Sequence, residues 1–120
     1  MKLAALLSIL LVSCGPAPHP EETRPEIIRG LSDQSGEGTA QLTRRAQAAF
    51  PLGSSEEMLM DGLRRQRFTE FSSSSDERGV WHIADYEEEG FPCMMRWSIR
   101  WRSKGKRITE IWAVSGTACL

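Results

Sequence analysis

The spacing of apolar residues changes twice along the chain, and the changes divide it into elements. Residues 3–12 are an apolar run interrupted only by Ser8. From Thr39 the spacing becomes helical. Leu42, Ala46, Ala49 and Phe50 fall at i, i+4, i+7 and i+8, one stripe, with Thr39 as N-cap. Pro51 disfavours helical geometry at Phe50 and ends this first helix, and Leu52-Gly53 turns the chain. A second helix begins at Ser54 or Ser55, and Ser54 with Glu57 has capping-box spacing. Leu59 and Leu63 make its inner face, helped by Met58, and Arg64, Arg65 and Arg67 suit its negative end. Gly62 in this helix has two readings: a tolerated imperfection, or close contact with the first helix.

After Phe68 the period becomes two. Residues 69–72 read as a short strand, 72–79 as a solvated loop, and 80–86 alternate in part, with Trp81 and Ile83 on one face. The clearest strand is 93–102, where Met95, Trp97, Ile99 and Trp101 alternate with Arg96, Ser98, Arg100 and Arg102. A tight turn at Lys104-Gly105 pairs Trp101 with Ile108, Ile99 with Glu110, Trp97 with Trp112 and Met95 with Val114. All of these except Glu110 are apolar, which favours that register. A three-residue loop instead turns Arg107, Thr109, Ile111 and Ala113 to that face, because a one-residue slip moves the whole set. The expected fold class is α+β: two N-terminal helices packed on a three-stranded antiparallel β-meander, the helices covering the tryptophan face.

The apolar run at the N-terminus follows Lys2, a short positive flank. It is half the roughly 20 residues a spanning helix needs, so it reads as a secretion signal. The exit, Leu11-Val12-Ser13-Cys14, resembles the bacterial lipobox. That resemblance implies cleavage before Cys14 and diacylglycerylation of its thiol. The competing reading is an ordinary secretory signal with an incidental cysteine. The expected organisation is a signal over 1–13, a lipidated N-terminus and flexible tether over 14–38, and a small domain over 39–120. The tether is rich in proline, and Pro25 is placed to open a short helical piece with Glu26, Ile27, Ile28 and Leu31. Gly15 is not the aspartate associated with inner-membrane retention. An outer-membrane anchor facing the periplasm is therefore expected, with the inner membrane as the alternative.

Composition narrows the function further. The chain has 120 residues, 40% of them hydrophobic, so its core is small. The formal charge is -1, and losing Lys2 with the leader takes it to -2, which argues against nucleic acid as a partner. Setting Cys14 aside leaves Cys93 and Cys119, an even pair that reads as a disulfide in an oxidising compartment. Two free thiols or a redox pair are the alternatives, though the spacing is not C-x-x-C.

No catalytic motif, metal-ligand spacing or cofactor loop stands out. His82 is the one histidine after the tether; only a cleft setting it beside a nucleophile or paired carboxylates makes a case for catalysis. Asp85, Glu87, Glu88 and Glu89 read as a solvated acidic turn. Trp81, Trp97, Trp101 and Trp112 read first as core and second as a ligand platform. Arg96, Arg100, Arg102 and Arg107 share the opposite sheet face and are the candidate partner-binding residues.

The stretch Phe50-Pro51-Leu52-Gly53-Ser54-Ser55-Glu56-Glu57 resembles the glycine-led start of the second helix in the BamE group of small lipoproteins, as does the helix–helix–sheet order over 39–115. This chain has Leu63-Arg64-Arg65-Gln66-Arg67-Phe68 where that group usually has Leu-Gly-x-Pro. The resemblance implies a non-enzymatic role in outer-membrane assembly or maintenance. The expected partners are the membrane, through acyl chains on Cys14, and an envelope protein. A periplasmic ligand-binding or inhibitor-like module is the alternative.

Overall fold

The computed structural model describes residues 23–90 and 92–120. Cys14 and the whole signal lie outside the described residues. The architecture is α+β, but the sheet has four strands rather than three. After a 3₁₀ turn, Glu26–Ile28, come helices α1 (Ser35–Ala49) and α2 (Glu56–Arg65), then β1 (Thr69–Asp76), β2 (Gly79–Glu88), β3 (Cys93–Lys104) and β4 (Arg107–Cys119). The strands form an antiparallel meander in the order β1-β2-β3-β4. The extra strand is β1: the short strand expected over 69–72 runs on to Asp76, through serines that read as a solvated loop because they carry no hydrophobic alternation. It exists because β2 offers a free edge and a tight turn at Glu77-Arg78 lets the chain fold back.

Packing begins earlier than residue 39. Ile27, Ile28 and Leu31, assigned to the tether by composition, join Leu42, Ala46, Leu59, Leu63 and Phe68 in one cluster over the inner sheet face. Arg24 is also buried, at 6% exposure. Its guanidinium reaches Asp33 at 2.7 Å and Glu88 at 2.9 Å and lies over the Trp97 ring. Glu88 Oε1 accepts from the Trp97 indole N–H at 2.6 Å, so one carboxylate ties β2 to both the N-terminal segment and β3. Glu88 is therefore part of this buried network in β2, and the acidic residues before Gly90 are not a simple solvated turn.

Helix α1 starts at Ser35, so Thr39 is not its N-cap. Thr39 and Thr43 instead accept from the backbone N–H groups of Ser115 (2.8 Å) and Ala113 (3.0 Å), and Gln47 donates to the Ile111 carbonyl at 3.3 Å. These three residues recur every fourth position, one helix face laid along the outer edge of β4. The 53–54 loop completes the seal through Gly53 N–H to Ile108 O and Ile108 N–H to Ser54 O. Sealing an edge strand in this way blocks unwanted strand addition. α1 sits this close because residue 38 is glycine: a Cβ there would lie 2.5 Å from Ser32 O and 3.3 Å from the Trp97 ring. Of the two candidate serines, Ser55 caps α2, accepting from Met58 N–H. Met58 is 70% exposed, and Met60 packs against the core in its place. Gly62 touches the Phe50 ring at the end of α1, the close-contact reading of that glycine.

The β3–β4 register differs from both sequence expectations. The turn residues are Gly105 and Lys106, both at positive φ (58° and 63°), as a two-residue hairpin turn requires. One extra residue then enters β4: Ser103 pairs with Ile108, but Arg102 pairs with Glu110. This bulge lets both Ile108 and Ile111 face inward although they are three apart. Beyond it Trp101 faces Ile111, Ile99 faces Ala113 and Trp97 faces Ser115, the last two setting a large side chain opposite a small one. At the far end Cys93 is directly opposite Cys119, and the two are joined by a disulfide.

Candidate functional site

Both helices lie on one side of the sheet, so among the described residues no layer covers the other face. Its side chains come from alternate positions: Trp81, Ile83, Asp85 and Glu87 on β2, Arg96, Ser98, Arg100 and Arg102 on β3, and Glu110, Trp112 and Val114 on β4. Only two of the four tryptophans are core. Trp97 and Trp101 are buried, whereas Trp81 and Trp112 are half-buried on the uncovered face. Their rings meet there at 6.0 Å. Arg100 lies over Trp81 at 5.0 Å and Arg102 over Trp112 at 5.7 Å, so the four side chains form one stack, Arg102-Trp112-Trp81-Arg100.

The structure treats the four expected arginines differently. Arg107 is paired with Lys104 in the β3–β4 ladder. It sits at the hairpin end, where its guanidinium reaches Gly53 O at 3.4 Å. Arg96 is engaged with Glu87 at 2.6 Å. Arg102 is fully committed, to Asp76 (2.5 Å), Glu110 (3.1 Å) and the Gly79 carbonyl (3.1 Å). Arg100 is the exception. It takes part in no ion pair among the described residues, and its Nε is shut off from solvent without an acceptor. Asp85, on the same face, accepts from Ser98 Oγ instead.

These pairings set the local charge states. Hydrogen bonding to Arg102 is the main cause holding the Asp76 carboxyl below the ordinary aspartate range; partial desolvation opposes it and the Arg78 N–H assists. The same bond raises Arg102, and Glu87 raises Arg96. Because the folded state favours ionised Asp76, its contribution is present above the ordinary aspartate range and is lost as pH falls through the lower folded value. In urea titrations between about pH 2 and about pH 6, the stability gap between wild type and Asp76→Asn is expected to close at the acid end. A gap independent of pH would show that the Asp76–Arg102 pair does not form.

A second cleft, of about 260 Å³, lies on the inner side between β1 and α2, lined by Glu56, Met60, Phe71, Ser73, His82 and Trp101 among others. Here Ser73 Oγ is 2.9 Å from His82 Nδ1, and His82 Nε2 is 3.5 Å from Glu56 Oε1. A hydroxyl, an imidazole and a carboxylate in that order invite comparison with a nucleophile relay. The geometry differs from one in two respects. The imidazole–carboxylate separation is outside good hydrogen-bond range. Both Glu56 oxygens are already used, by the Trp101 indole N–H (3.0 Å) and the Ser103 hydroxyl (2.9 Å). Glu56 thus fastens the start of α2 to β3.

Compared with protein-family models, curated proteins and solved structures, the chain finds no match in any of the three. Among the described residues no group of His, Cys, Asp and Glu is placed to hold a metal ion, and no helix is long and apolar enough to cross a membrane. The functional reading therefore rests on the uncovered face. Sequence spacing located its arginines but missed its tryptophans. The available signal was volume: two helices of 15 and 10 residues cannot cover four tryptophans on one face of a meander.

Proposed function

We propose that this protein is a lipid-anchored, non-enzymatic interaction module of the bacterial cell envelope. It is held to the outer membrane through Cys14 and docks an envelope protein on its uncovered sheet face. The observation that carries the reading is the Arg102-Trp112-Trp81-Arg100 stack, left without a covering layer while both helices pack on the opposite side. Tryptophan and arginine are the residues on which interface energy concentrates, most of all where a surrounding ring excludes water. Here the Arg96–Glu87, Arg102–Asp76 and Arg78–Glu110 pairs form such a ring. The more exposed Arg96–Glu87 and Arg78–Glu110 pairs add little stability, so their value lies in ordering the rim, while Arg102 is buried at 9% exposure. The Leu-Val-Ser-Cys exit of the leader and the likeness in element order to BamE-type lipoproteins support the envelope setting.

The test combines anchor and face. A photo-crosslinking residue at Val114 is expected to give one discrete adduct in living cells, and the same residue at Ala48, exposed on α1, none. Labelling with an alkynyl palmitate is expected in wild type and absent in Cys14→Ala. Adducts from Ala48 alone, or undiminished labelling of Cys14→Ala, would defeat the proposal. Specific labelling of Ser73 by a fluorophosphonate, lost in His82→Ala, would defeat its non-enzymatic part.

A further inference from the structure

The uncovered face has a polarity that identifies what it holds. Beside the tryptophan stack runs a groove of about 250 Å³ between β3 and β4, with Arg100 and Val114 at one end and Met94 and Ala118 at the other. Its middle is low because residue 116 is glycine, and a Cβ there would meet nothing within 4 Å. The groove is mostly apolar; Arg96, opposite Gly116, also lines it but is paired with Glu87, and Arg100 at one end is its unpaired cation.

That cation has no acidic counterpart of its own. Of the arginines on this face, Arg96 and Arg102 are neutralised by Glu87, Asp76 and Glu110. Asp85, the remaining carboxylate on the β2 side, accepts from Ser98 Oγ and makes no ion pair with Arg100. Arg100 has only the Trp81 ring, and its Nε is buried without an acceptor. Leaving a guanidinium N–H unsatisfied is costly, and a native structure retains such a group for a reason. Stacking on Trp81 fixes the plane of the guanidinium before anything binds, which lowers the ordering cost of a later contact.

The geometry points to Arg100 as the receptor for a carboxylate on the docked partner. That partner segment is an extended peptide carrying an aspartate or glutamate flanked by aliphatic residues, which lie along Val114, Gly116 and Ala118. This rests on the proposal that the face is a docking surface, and it names the chemistry of the partner. Charge complementarity at this end of the groove favours the acid, since Arg100 is the arginine of the face that makes no ion pair among the described residues. The half-open, glycine-floored shape favours a peptide backbone over an acyl chain, which needs enclosure to escape water.

The full lipidated chain in nanodiscs, titrated with acetyl-Leu-Glu-Leu-amide, is the test. Saturable shifts of the Arg100 guanidinium resonances and of the Trp81 indole N–H are expected, and the acetyl-Leu-Gln-Leu-amide analogue should produce none. Arg100→Gln is expected to weaken binding by about tenfold or more, because a charge-assisted bond is lost. Gly116→Val, which fills the floor without touching Arg100, should weaken it comparably while leaving the urea midpoint unchanged. Equal response to the Gln analogue, or no shift at Arg100, overturns the assignment. A larger Arg100 response to octanoate than to the peptide at equal concentration also overturns it, in favour of a lipid ligand. If adducts from Val114 persist undiminished in Arg100→Gln, the docking face stands and Arg100 as its anchor falls.

Discussion

Trp97→Ala is expected to lower the unfolding free energy by about 3–5 kcal/mol, the usual cost of emptying a large buried aromatic site. Trp97 is fully buried and packs beneath α1 at Gly38. Its indole N–H also satisfies Glu88, which in turn holds Arg24. Losing the ring therefore leaves a cavity and removes one donor from a buried carboxylate, and the two costs act together. For a domain of this size that corresponds to a fall in Tm of about 15–30 °C. The control is Trp112→Ala, on the uncovered face, whose cost should stay within ~1 kcal/mol because no layer packs on it. Urea denaturation of both variants checks the assignment of faces. Equal destabilisation would mean that the helices do not cover the side carrying Trp97.

Removing the disulfide is the second large effect. Cys93 and Cys119 are 26 residues apart in sequence and directly opposed at the end of the β3–β4 ladder. On the chain-entropy account, closing a loop of that length restricts the unfolded chain by roughly 3.5 kcal/mol. The paired Cys93→Ser/Cys119→Ser variant should lose about that much, measured as a lower urea midpoint for the non-reduced protein. Reduction of wild type should reproduce the loss, and reduction of the double variant should change nothing. The disulfide also opposes register slip. With Cys93 tied to Cys119, the bulge between Ile108 and Glu110 cannot be undone without turning Ile111 and Ala113 away from the core. Fraying of β4 beyond Ser115 should therefore appear in hydrogen exchange once the bond is cut. An unchanged midpoint in the double variant would show that the rest of the core already sets this register.

The helices were legible because their signals are local. The stripe Leu42, Ala46 and the pair Leu59, Leu63 can be read within a few turns, and the same residues form the buried helix faces. Their starts were less so. Thr39 and Ser54 look like caps in isolation, but Thr39 spends its hydroxyl on β4 and Ser54 on Pro51 O. A side chain able to cap a helix is equally able to seal a strand edge, and only the neighbour decides. The candidate site shows the same division. Alternation in β3 placed Arg96, Arg100 and Arg102 together, yet which of them is already neutralised depends on Asp76, Glu87 and Glu110 arriving from other strands.

By itself the sequence determined the α+β class, the order of helices before strands, the period-two face of β3 and the pair of cysteines left after Cys14. Each of these depends on residues within one element or on simple counting. Only the tertiary structure decided the fourth strand, the inclusion of Arg24 and Ile27 to Leu31 in the folded unit, the β3–β4 register and the division of the tryptophans between core and surface. Those outcomes turn on one extra residue in a strand and on which side two short helices settle. Both are fixed by packing between segments far apart in the chain, where local pattern carries no energy.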